Sequence, residues 1–120
     1  MKRQTVEERW GFTLIELMVV VAILGVLVTI ALPQFAKYRR SAQNAAAKAA
    51  LAQVATAQED YYLLHNGYAN ALVNLANWYV PEPTMAVNVL AGDKDSWSAT
   101  ANHISSTDVF TYTSSGGGLL

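Results

Sequence analysis

Residues 12–32 read FTLIELMVVVAILGVLVTIAL, and this stretch decides the fold. It carries a single charge, on Glu16. A helix of that length spans about 30 Å, which matches the hydrocarbon core of a bilayer. So long an apolar run is rarely the core of a small soluble domain. We therefore interpret residues 12–33 as a membrane-spanning helix.

The remainder of the chain is compatible with one small domain. The chain has 120 residues, a net charge of −1 and no Cys. The absence of Cys excludes a disulfide framework, a thiolate metal site and a Cys nucleophile. The Lys and Arg residues form no single stripe, so we expect no nucleic-acid contact for this subunit itself.

Two features of the apolar stretch bear on its role. A secretory signal peptide would be shorter and would end in a small-residue cleavage site, which the following TIALPQFAKY does not offer. The charges on either side leave the orientation open, because the positive-inside rule counts three against three. These residues are Lys2, Arg3 and Arg9 before the span, and Lys37, Arg39 and Arg40 after it.

Glu16 is the unusual residue of the stretch, only four positions past Phe12. A carboxylate inside the hydrocarbon costs about 2.5–3.5 kcal/mol on insertion scales, so such a residue usually marks function. The alternative is that Glu16 lies near the interface and reaches the headgroups at little cost. The residues alone do not decide between these two interpretations.

The string GFTLIEL at residues 11–17 follows a short charged segment, MKRQTVEERW, and precedes the apolar helix. In this context it resembles the processing motif of type IV prepilins, which also occurs in the pseudopilins of type II secretion systems. The resemblance covers residues 1 to about 40, a third of the chain. It implies a leader at residues 1–11, a hydrophobic transmembrane and assembly helix at 12–33, and a pilin head at 34–120.

The resemblance also implies roles for individual residues. A prepilin peptidase would cut after Gly11 on the cytoplasmic side and would N-methylate Phe12. Glu16 would pair with the amino group of a neighbouring Phe during assembly. Gly25 and Pro33 would bound a segment that unwinds in the filament. For the free subunit, a simple Pro kink in a membrane helix is an equal alternative.

The function that the resemblance implies is that of a structural subunit of a type IV pilus. The precursor would lie in the bacterial inner membrane, with its leader in the cytoplasm and its head outside, and would then polymerise into an extracellular fibre. Its partners would be the membrane, the peptidase, the inner-membrane assembly machinery and copies of itself. One alternative is a pseudopilin of a type II secretion system. Another is a single-pass membrane protein with a binding head and an uncut leader.

After the span, the sequence predicts that the helix continues to Leu64, because residues 34–64 are rich in Ala and contain no Gly or Pro. His65-Asn66-Gly67 then ends the helix, with Gly67 suited to a left-handed conformation. Three- and four-residue spacing predicts one narrow apolar face on this part of the helix. Its members are Ala47, Ala50, Leu51, Val54, Ala57, Tyr61 and Leu64.

The last third of the chain predicts a small antiparallel sheet. A connecting segment with a short helical turn around Ala71–Ala76 leads to three strand-like runs separated by short turns. Short turns between consecutive strands indicate an antiparallel meander, which we expect to pack on the helix in an α+β fold. The runs are Met85–Ala91, Trp97–Ile104 and Val109–Thr113, with turns at 92–95 and 105–108 and a flexible tail at 114–118.

No residue pattern indicates catalysis, a cofactor or a metal, so we expect a protein that is not an enzyme. His65 and His103 have no carboxylate or Cys at ligand spacing. Three Asp residues, Asp93, Asp95 and Asp108, fall in predicted turns, where Asp is favoured without any ion. We therefore interpret them as turn formers rather than calcium ligands.

Overall fold

The computed structural model describes residues 11–115 and 118–119, so residues 1–10 of the predicted leader lie outside the described residues. The described part contains an α-helix, a short 3₁₀ helix and four strands. They are α1 (Leu14–His65), the 3₁₀ helix (Leu72–Leu75), β1 (Met85–Gly92), β2 (Trp97–His103), β3 (Phe110–Thr113) and β4 (Gly118–Leu119). The predicted α+β class, with a long N-terminal helix and a small antiparallel sheet, is confirmed.

The chain divides into two compact units, of which the first ends at Ala36 and the second begins at Lys37. In the first unit, α1 presents its large apolar side chains outward in every direction. From Leu14 to Leu32 these side chains are 49–77% exposed, and the described part of the unit has no buried residue. A helix that is apolar all round is typical of a membrane span or of the interior of a large assembly.

In the second unit, the remaining part of α1 supplies one wall of a core. Its buried side chains follow the three- and four-residue spacing that the sequence predicts, with one polar addition, Gln58. They are Ala47, Ala50, Leu51, Val54, Ala57 and Gln58. The prediction for Leu64 is wrong, since this side chain is 70% exposed. Leu64 lies about two turns beyond the buried Ala57 and points in nearly the same direction, but the partner surface does not extend to it.

The sheet supplies the opposite wall of this core. Its strand order is β1-β2-β3-β4, and each strand pairs antiparallel with the next one in the chain. Alternate residues of β2, namely Trp97, Ala99 and Ala101, are buried, as the two-residue period of a strand requires. Ala99 and Ala101 are small, so the backbone of the helix can approach the sheet closely. Met85 and Val87 of β1 extend the same wall.

The connecting segment between helix and sheet is held by a buried side chain. The Gln58 amide donates a hydrogen bond to the Ala69 carbonyl oxygen at 3.0 Å, and the Ala69 N–H donates one to Gln58 Oε1 at 2.8 Å. Gln58 is fully buried, and both of its polar atoms are satisfied by a single backbone position. The pair fixes the direction of the chain after it leaves α1.

Two details of the turns differ from the sequence prediction. The left-handed residue after α1 is Asn66, with φ 53°, and not Gly67. Asn tolerates this conformation better than most residues, and its N–H donates to the Tyr62 carbonyl oxygen at 2.8 Å. Gly92, predicted in a turn, ends β1, and a Cβ at this position would clash with the Ala69 carbonyl oxygen. Gly92 is therefore required by a close approach of two backbones.

The prediction of a flexible tail at residues 114–118 is also partly wrong. Gly118 pairs with Thr113 and Leu119 pairs with Tyr112, which adds a two-residue strand at the edge of the sheet. Such a short strand carries no periodic signal that a sequence could reveal.

Candidate assembly site

The residues of the GFTLIEL string lie at the start of α1. Gly11 and Phe12 precede the helix, which begins at Leu14, and both are exposed. The Phe12 side chain is 92% exposed. Among the described residues, no heavy atom beyond the chain neighbours of Gly11 lies within 4 Å of a Cβ built at Gly11. The peptide bond between Gly11 and Phe12 thus lies in a non-helical part of the described chain, between two exposed residues.

Thr13 and Glu16 form a reciprocal cap at this end of the helix. The Thr13 N–H donates to Glu16 Oε2 at 3.0 Å, and the Glu16 N–H donates to Thr13 Oγ1 at 3.3 Å. This is the capping box of a T-x-x-E sequence, in which two backbone donors without helical partners are each satisfied by a side chain. Sequence analysis missed the role of Thr13, although the three-residue spacing from Thr to Glu was visible.

The cap fixes where the carboxylate of Glu16 lies. It contacts the backbone N–H of Thr13, the residue directly after Phe12. A negative charge at this end of a helix is favoured by the helix dipole, which is positive at the N-terminus. Around the carboxylate, the neighbouring side chains are apolar: Phe12, Ile15, Leu17, Val19 and Val20. The site therefore combines one negative group, held beside the backbone of Thr13, with apolar surroundings.

Gly25 and Pro33 lie inside α1, which the structure shows as helical at both positions. Pro33 has no N–H, so the carbonyl of Thr29 lacks its usual partner four residues later. The Thr29 hydroxyl donates to the Val26 carbonyl oxygen at 2.6 Å. Unwinding between Gly25 and Pro33 concerns the assembled fibre, so it stays a prediction.

The described residues include one helix that is long and apolar enough to cross a membrane, α1. A core helix of a soluble protein would pass the same test of length and composition, but none of the apolar window of α1 is buried. A cleaved signal peptide is also disfavoured, because α1 runs on to His65 and supplies residues 47–58 to the core of the second unit. Membrane anchoring by this segment is the interpretation that fits both observations.

A second polar cluster, missed by sequence analysis, joins α1 to the loop between β2 and β3. Arg40 donates to both carboxylate oxygens of Asp108, at 3.0 and 2.6 Å, and Asn44 donates to Asp108 Oδ2 at 2.7 Å. The Ser106 hydroxyl donates to Asn44 Oδ1 at 3.2 Å. The hydrogen bonds from Arg40 first, and then the one from Asn44, lower the pKa of Asp108 to about 2. Asp108 therefore has a structural partner that its position in a predicted turn did not suggest.

The other candidates for a metal site fit simpler roles. Asp93 Oδ1 accepts the N–H groups of Asp95 and Ser96 at 2.8 and 2.7 Å, which is the predicted turn function, and these bonds lower the pKa of Asp93. His65 stacks on Tyr61 with ring centroids 4.0 Å apart. Among the described residues, no group of three or more His, Asp and Glu side chains has the arrangement of a metal site.

Comparison with known families gives two adjoining matches. A family model described as "Type IV minor pilin ComP, DNA uptake sequence receptor" matches residues 33–114. A model described as the prokaryotic N-terminal methylation motif matches residues 11–32. The two matches together run from the residue before Phe12 through most of the sheet.

Individual relatives are similar over part of their length. The type IV major pilin protein PilA of Myxococcus xanthus is 43% identical over 60 residues, which are 50% of this chain and 27% of the relative. The type IV major pilin protein PilE1 of Neisseria gonorrhoeae is 35% identical over 94 residues, 72% of this chain and 44% of the relative. A fimbrial protein of Pseudomonas aeruginosa is 47% identical over 53 residues, 44% of this chain and 34% of the relative. The chain thus spans less than half of the length of each of these relatives.

Proposed function

Because the chain belongs to the type IV pilin family, we propose that it is a structural subunit of a type IV pilus filament. The observation that carries the proposal is the combination at the start of α1. An exposed bond before Phe12 is followed by a capped carboxylate and then by an apolar helical segment, residues 14–36, in which no residue is buried. This combination provides a cleavage point, a charge for pairing and a surface for packing against other copies.

The first step of the proposed function is processing of a membrane-bound precursor. A prepilin peptidase cleaves between Gly11 and Phe12 and N-methylates the new terminus of Phe12. The exposed, non-helical position of this bond supports the proposal, as does the match of residues 11–32 to the N-terminal methylation model. The precursor lies in the bacterial inner membrane with residues 1–11 in the cytoplasm and the head outside.

The second step is polymerisation through the N-terminal helix. Cleavage creates a positive amine at Phe12, and Glu16 of a neighbouring copy pairs with it when subunits leave the membrane. Two opposite charges at close range offset part of the cost that each would have alone in an apolar fibre core. Before pairing, the capping box satisfies the same carboxylate within its own chain. Unwinding between Gly25 and Pro33 would adapt the helix to its packing in the fibre.

The first test of this proposal is the N-terminal residue and intact mass of the chain recovered from sheared surface material. Methylated Phe12 in a fibre fraction is the expected result. An intact Met1 confined to membranes would contradict processing and assembly together. Deletion of the gene separates the pilin from the pseudopilin alternative, because a pilin is needed for surface fibres and a pseudopilin for enzyme secretion.

Substitutions at Glu16 separate charge pairing from helix capping. Gln can take the place of Glu in a capping box but carries no charge. If pairing with the amine is the role of this residue, both Glu16→Ala and Glu16→Gln lower fibre yield at least tenfold, with normal subunit levels in the membrane. Normal fibre yield from Glu16→Gln would show that capping suffices and would reject the pairing mechanism. Glu82→Gln, in the head, is the matched control.

A second candidate function is DNA recognition, which the description of the matching family model raises for the head. It runs against the expectation from the sequence, because residues 37–120 contain five Lys and Arg against six Asp and Glu. The salt dependence of duplex DNA binding by the full chain in detergent tests it, since phosphate contacts weaken steeply as salt rises. Salt-sensitive binding would add DNA recognition to the proposed function, and no binding at low salt would remove it.

A further inference from the structure

The turn after α1 contains a residue pair that occurs nowhere else in the chain. The chain has seven Asn residues, and Asn66 is the one that a Gly follows. Asn side-chain amides are among the thermolabile groups of proteins. A following Gly leaves its backbone nitrogen least hindered for attack on such an amide, because Gly has no Cβ. The other six precede Ala, Leu, Trp, Val or His, and they are Asn44, Asn70, Asn74, Asn77, Asn88 and Asn102.

The side-chain amide of Asn66 is unengaged. Asn66 is exposed, and its amide forms no hydrogen bond with a described residue, although side chains on both sides of it do. Two of the other Asn residues, Asn77 and Asn88, also lack such bonds, but each precedes a bulky side chain. The remaining four side chains take part in hydrogen bonds, and they are those of Asn44, Asn70, Asn74 and Asn102. An unengaged amide and a small following residue are therefore combined at Asn66.

The backbone nitrogen of Gly67 is unengaged as well. The N–H groups on both sides of it donate hydrogen bonds, that of Asn66 to the Tyr62 carbonyl oxygen at 2.8 Å and that of Tyr68 to the Asp93 carbonyl oxygen at 2.7 Å. The Gly67 N–H donates to no described residue. Buried backbone donors are nearly always paired, and a paired nitrogen must lose its acceptor before it can react. At Gly67 this step is not needed.

The conformation of the turn does not require Gly at position 67. The left-handed residue is Asn66, with φ 53°, and the φ of Gly67 lies outside the left-handed range. A Cβ built on Gly67 would lie 3.6 Å from its nearest neighbour, the Asp93 carbonyl oxygen, which is an ordinary van der Waals distance. Ala therefore fits at this position. Gly67→Ala can separate the chemistry of the pair from its role in the fold.

We propose that Asn66 and Gly67 form a self-modification site, at which the chain converts Asn66 to aspartate and isoaspartate. Base removes the proton of the Gly67 N–H, and the nitrogen adds to Cγ of Asn66. The bond from Cγ to Nδ2 breaks, and Nδ2 takes up a proton from water and leaves as ammonia. The product is a five-membered succinimide. The proposal does not depend on the filament.

Hydrolysis of the succinimide completes the reaction in one of two ways. Water that adds to Cγ breaks its bond to the Gly67 nitrogen and leaves aspartate. Water that adds to the backbone carbonyl carbon of residue 66 breaks the other bond to this nitrogen and leaves isoaspartate, in which the chain runs through Cγ. Each route consumes one water and releases one ammonia overall. The conversion is therefore an exchange of NH₂ for OH that needs no other reactant.

The position of the site gives the isoaspartate form a structural effect. Isoaspartate adds one carbon atom to the backbone between α1 and the connecting segment. The far side of this connection is held by the Tyr68–Asp93 hydrogen bond and by the two bonds between Ala69 and Gln58. A longer path between fixed points should make these bonds open more often. Aspartate keeps the path length and adds a negative charge where the helix dipole disfavours one, so its effect should be smaller.

Incubation of the full chain in detergent, in warm and mildly alkaline buffer, tests the site. Proteolytic digestion and mass spectrometry measure the exchange of NH₂ for OH at each Asn, and an isoaspartate methyltransferase with labelled S-adenosylmethionine counts isoaspartate. Asn66 should convert at least tenfold faster than each of the other six Asn residues. Gly67→Ala should slow this conversion at least tenfold, because its Cβ hinders the nitrogen, while the unfolding temperature stays within about 2 °C.

A second Asn-Gly pair, created by Ala71→Gly, is the matched control. In this pair the side chain of Asn70 is engaged, since its Oδ1 accepts a hydrogen bond from the Asn74 amide at 3.0 Å. Asn70 in Ala71→Gly should therefore convert at least threefold more slowly than Asn66 in the same molecule. Equal rates would overturn the role of the unengaged amide.

Hydrogen exchange tests the structural effect. The incubated chain is labelled, quenched and digested, and peptides with Asn or isoaspartate at position 66 are separated by chromatography. The Ala69 amide should exchange at least fivefold faster in the isoaspartate form, and within about twofold of wild type in Asn66→Asp. Amides of β2 should exchange alike in both forms. Equal protection of Ala69 in both forms would overturn the loosening of the connecting segment.

The remaining outcomes decide the site itself. Conversion of Asn66 no faster than that of the other six would overturn it, because the turn would then hold the Gly67 nitrogen away from Cγ. Conversion that persists in Gly67→Ala would overturn attack by this nitrogen. If Gly67→Ala folds poorly, Asn66→Gln replaces it, since a six-membered ring forms more slowly and conversion at this position should fall at least tenfold. All of these readouts use purified chain, so a failure of the pilus function would leave them unchanged.

Discussion

The two halves of α1 differ in what their side chains contact. In the first half, Leu24 is 54% exposed although it lies in the middle of the most apolar part of the chain. In the second half, Val54 is fully buried in a segment made mostly of Ala. The more apolar half thus supplies no core to its own chain, and the less apolar half supplies a complete wall of one. Hydrophobicity indicates that a surface is buried against a partner. The spacing of the apolar residues indicates whether that partner belongs to the same chain.

The largest expected difference between the halves comes from shortening a Leu in each. Leu51 is fully buried, so Leu51→Ala should lower the free energy of unfolding of the head by about 2–5 kcal/mol. Leu24→Ala, the matched change in the exposed half, should alter it by less than about 0.5 kcal/mol. Thermal unfolding of the full chain in detergent, followed by near-ultraviolet circular dichroism, measures both. Equal effects would mean that the two halves are not stabilised independently.

A buried polar contact gives the next largest effect. Gln58→Ala leaves the N–H and the carbonyl of Ala69 without their side-chain partner, which should cost about 2 kcal/mol of unfolding free energy. Hydrogen exchange at the Ala69 amide should become faster in the same variant. Gln53→Ala, at an exposed position of the same helix, is the control and should change neither quantity. Unchanged hydrogen exchange at the Ala69 amide in Gln58→Ala would contradict the role of the two Gln58–Ala69 hydrogen bonds.

In the first half of α1, removal of the helix cap should have a smaller effect on stability, confined to the first turn. Thr13→Ala removes one side of the capping box and should weaken the first turn of α1 by about 1 kcal/mol. Amide exchange at Leu14 to Glu16 should accelerate, while the unfolding temperature of the head stays constant. Thr29→Ala removes a hydroxyl that also bonds to the backbone, and it should leave exchange in the first turn as it is. A fall in head stability from Thr13→Ala would show coupling between the halves.

The smallest effect should come from the ion pair that joins the second half to the sheet loop. Because the pKa of Asp108 is about 2 in the folded chain, against an ordinary value of 3.8, its ionised form stabilises the fold above the ordinary value. This contribution is lost as the pH falls toward 2. Asp108→Asn should therefore lower the unfolding temperature at pH 6, by less than Gln58→Ala does, and the difference from wild type should shrink between pH 4 and pH 2. Asp95→Asn is the control, because the Asp95 carboxylate has no partner among the described residues. If the unfolding temperatures of Asp108→Asn and wild type differed by the same amount from pH 4 to pH 2, the charge of Asp108 would have no role.

Much of the candidate site could be predicted from its sequence because its signals are local. The positions of Gly11, Phe12 and Glu16 relative to the helix follow from a single short string and the apolar run behind it. The Thr13 cap could have been found in the same way, since its partner is three residues away. The Arg40–Asp108 pair could not, because 68 residues separate its members and no periodicity connects them.

The fold, like the site, has features that the sequence predicts and features that it does not. Strand positions and the buried stripe of α1 repeat with fixed periods, so sequence analysis located them to within one or two residues. Leu64 was misplaced because an apolar residue at helical spacing is buried only where the partner surface extends to it. The exchange of roles between Asn66 and Gly67 depended on the exact end of α1, and the need for Gly at 92 depended on the backbone of Ala69, which is distant in the sequence. Only the second of these is a tertiary effect.

The order of the strands has a consequence for how the head forms. Each strand neighbours the next in sequence, and the paired segments are joined by short turns, so the sheet needs no long loop to close before its first contacts appear. Closing a short loop costs little entropy, so these strands can pair early, and early pairing leaves little time for exposed strand edges to associate. These 120 residues contain no Cys, so no disulfide forms within them. The strands of such a head can therefore pair before the sheet docks on α1, and that docking completes the fold.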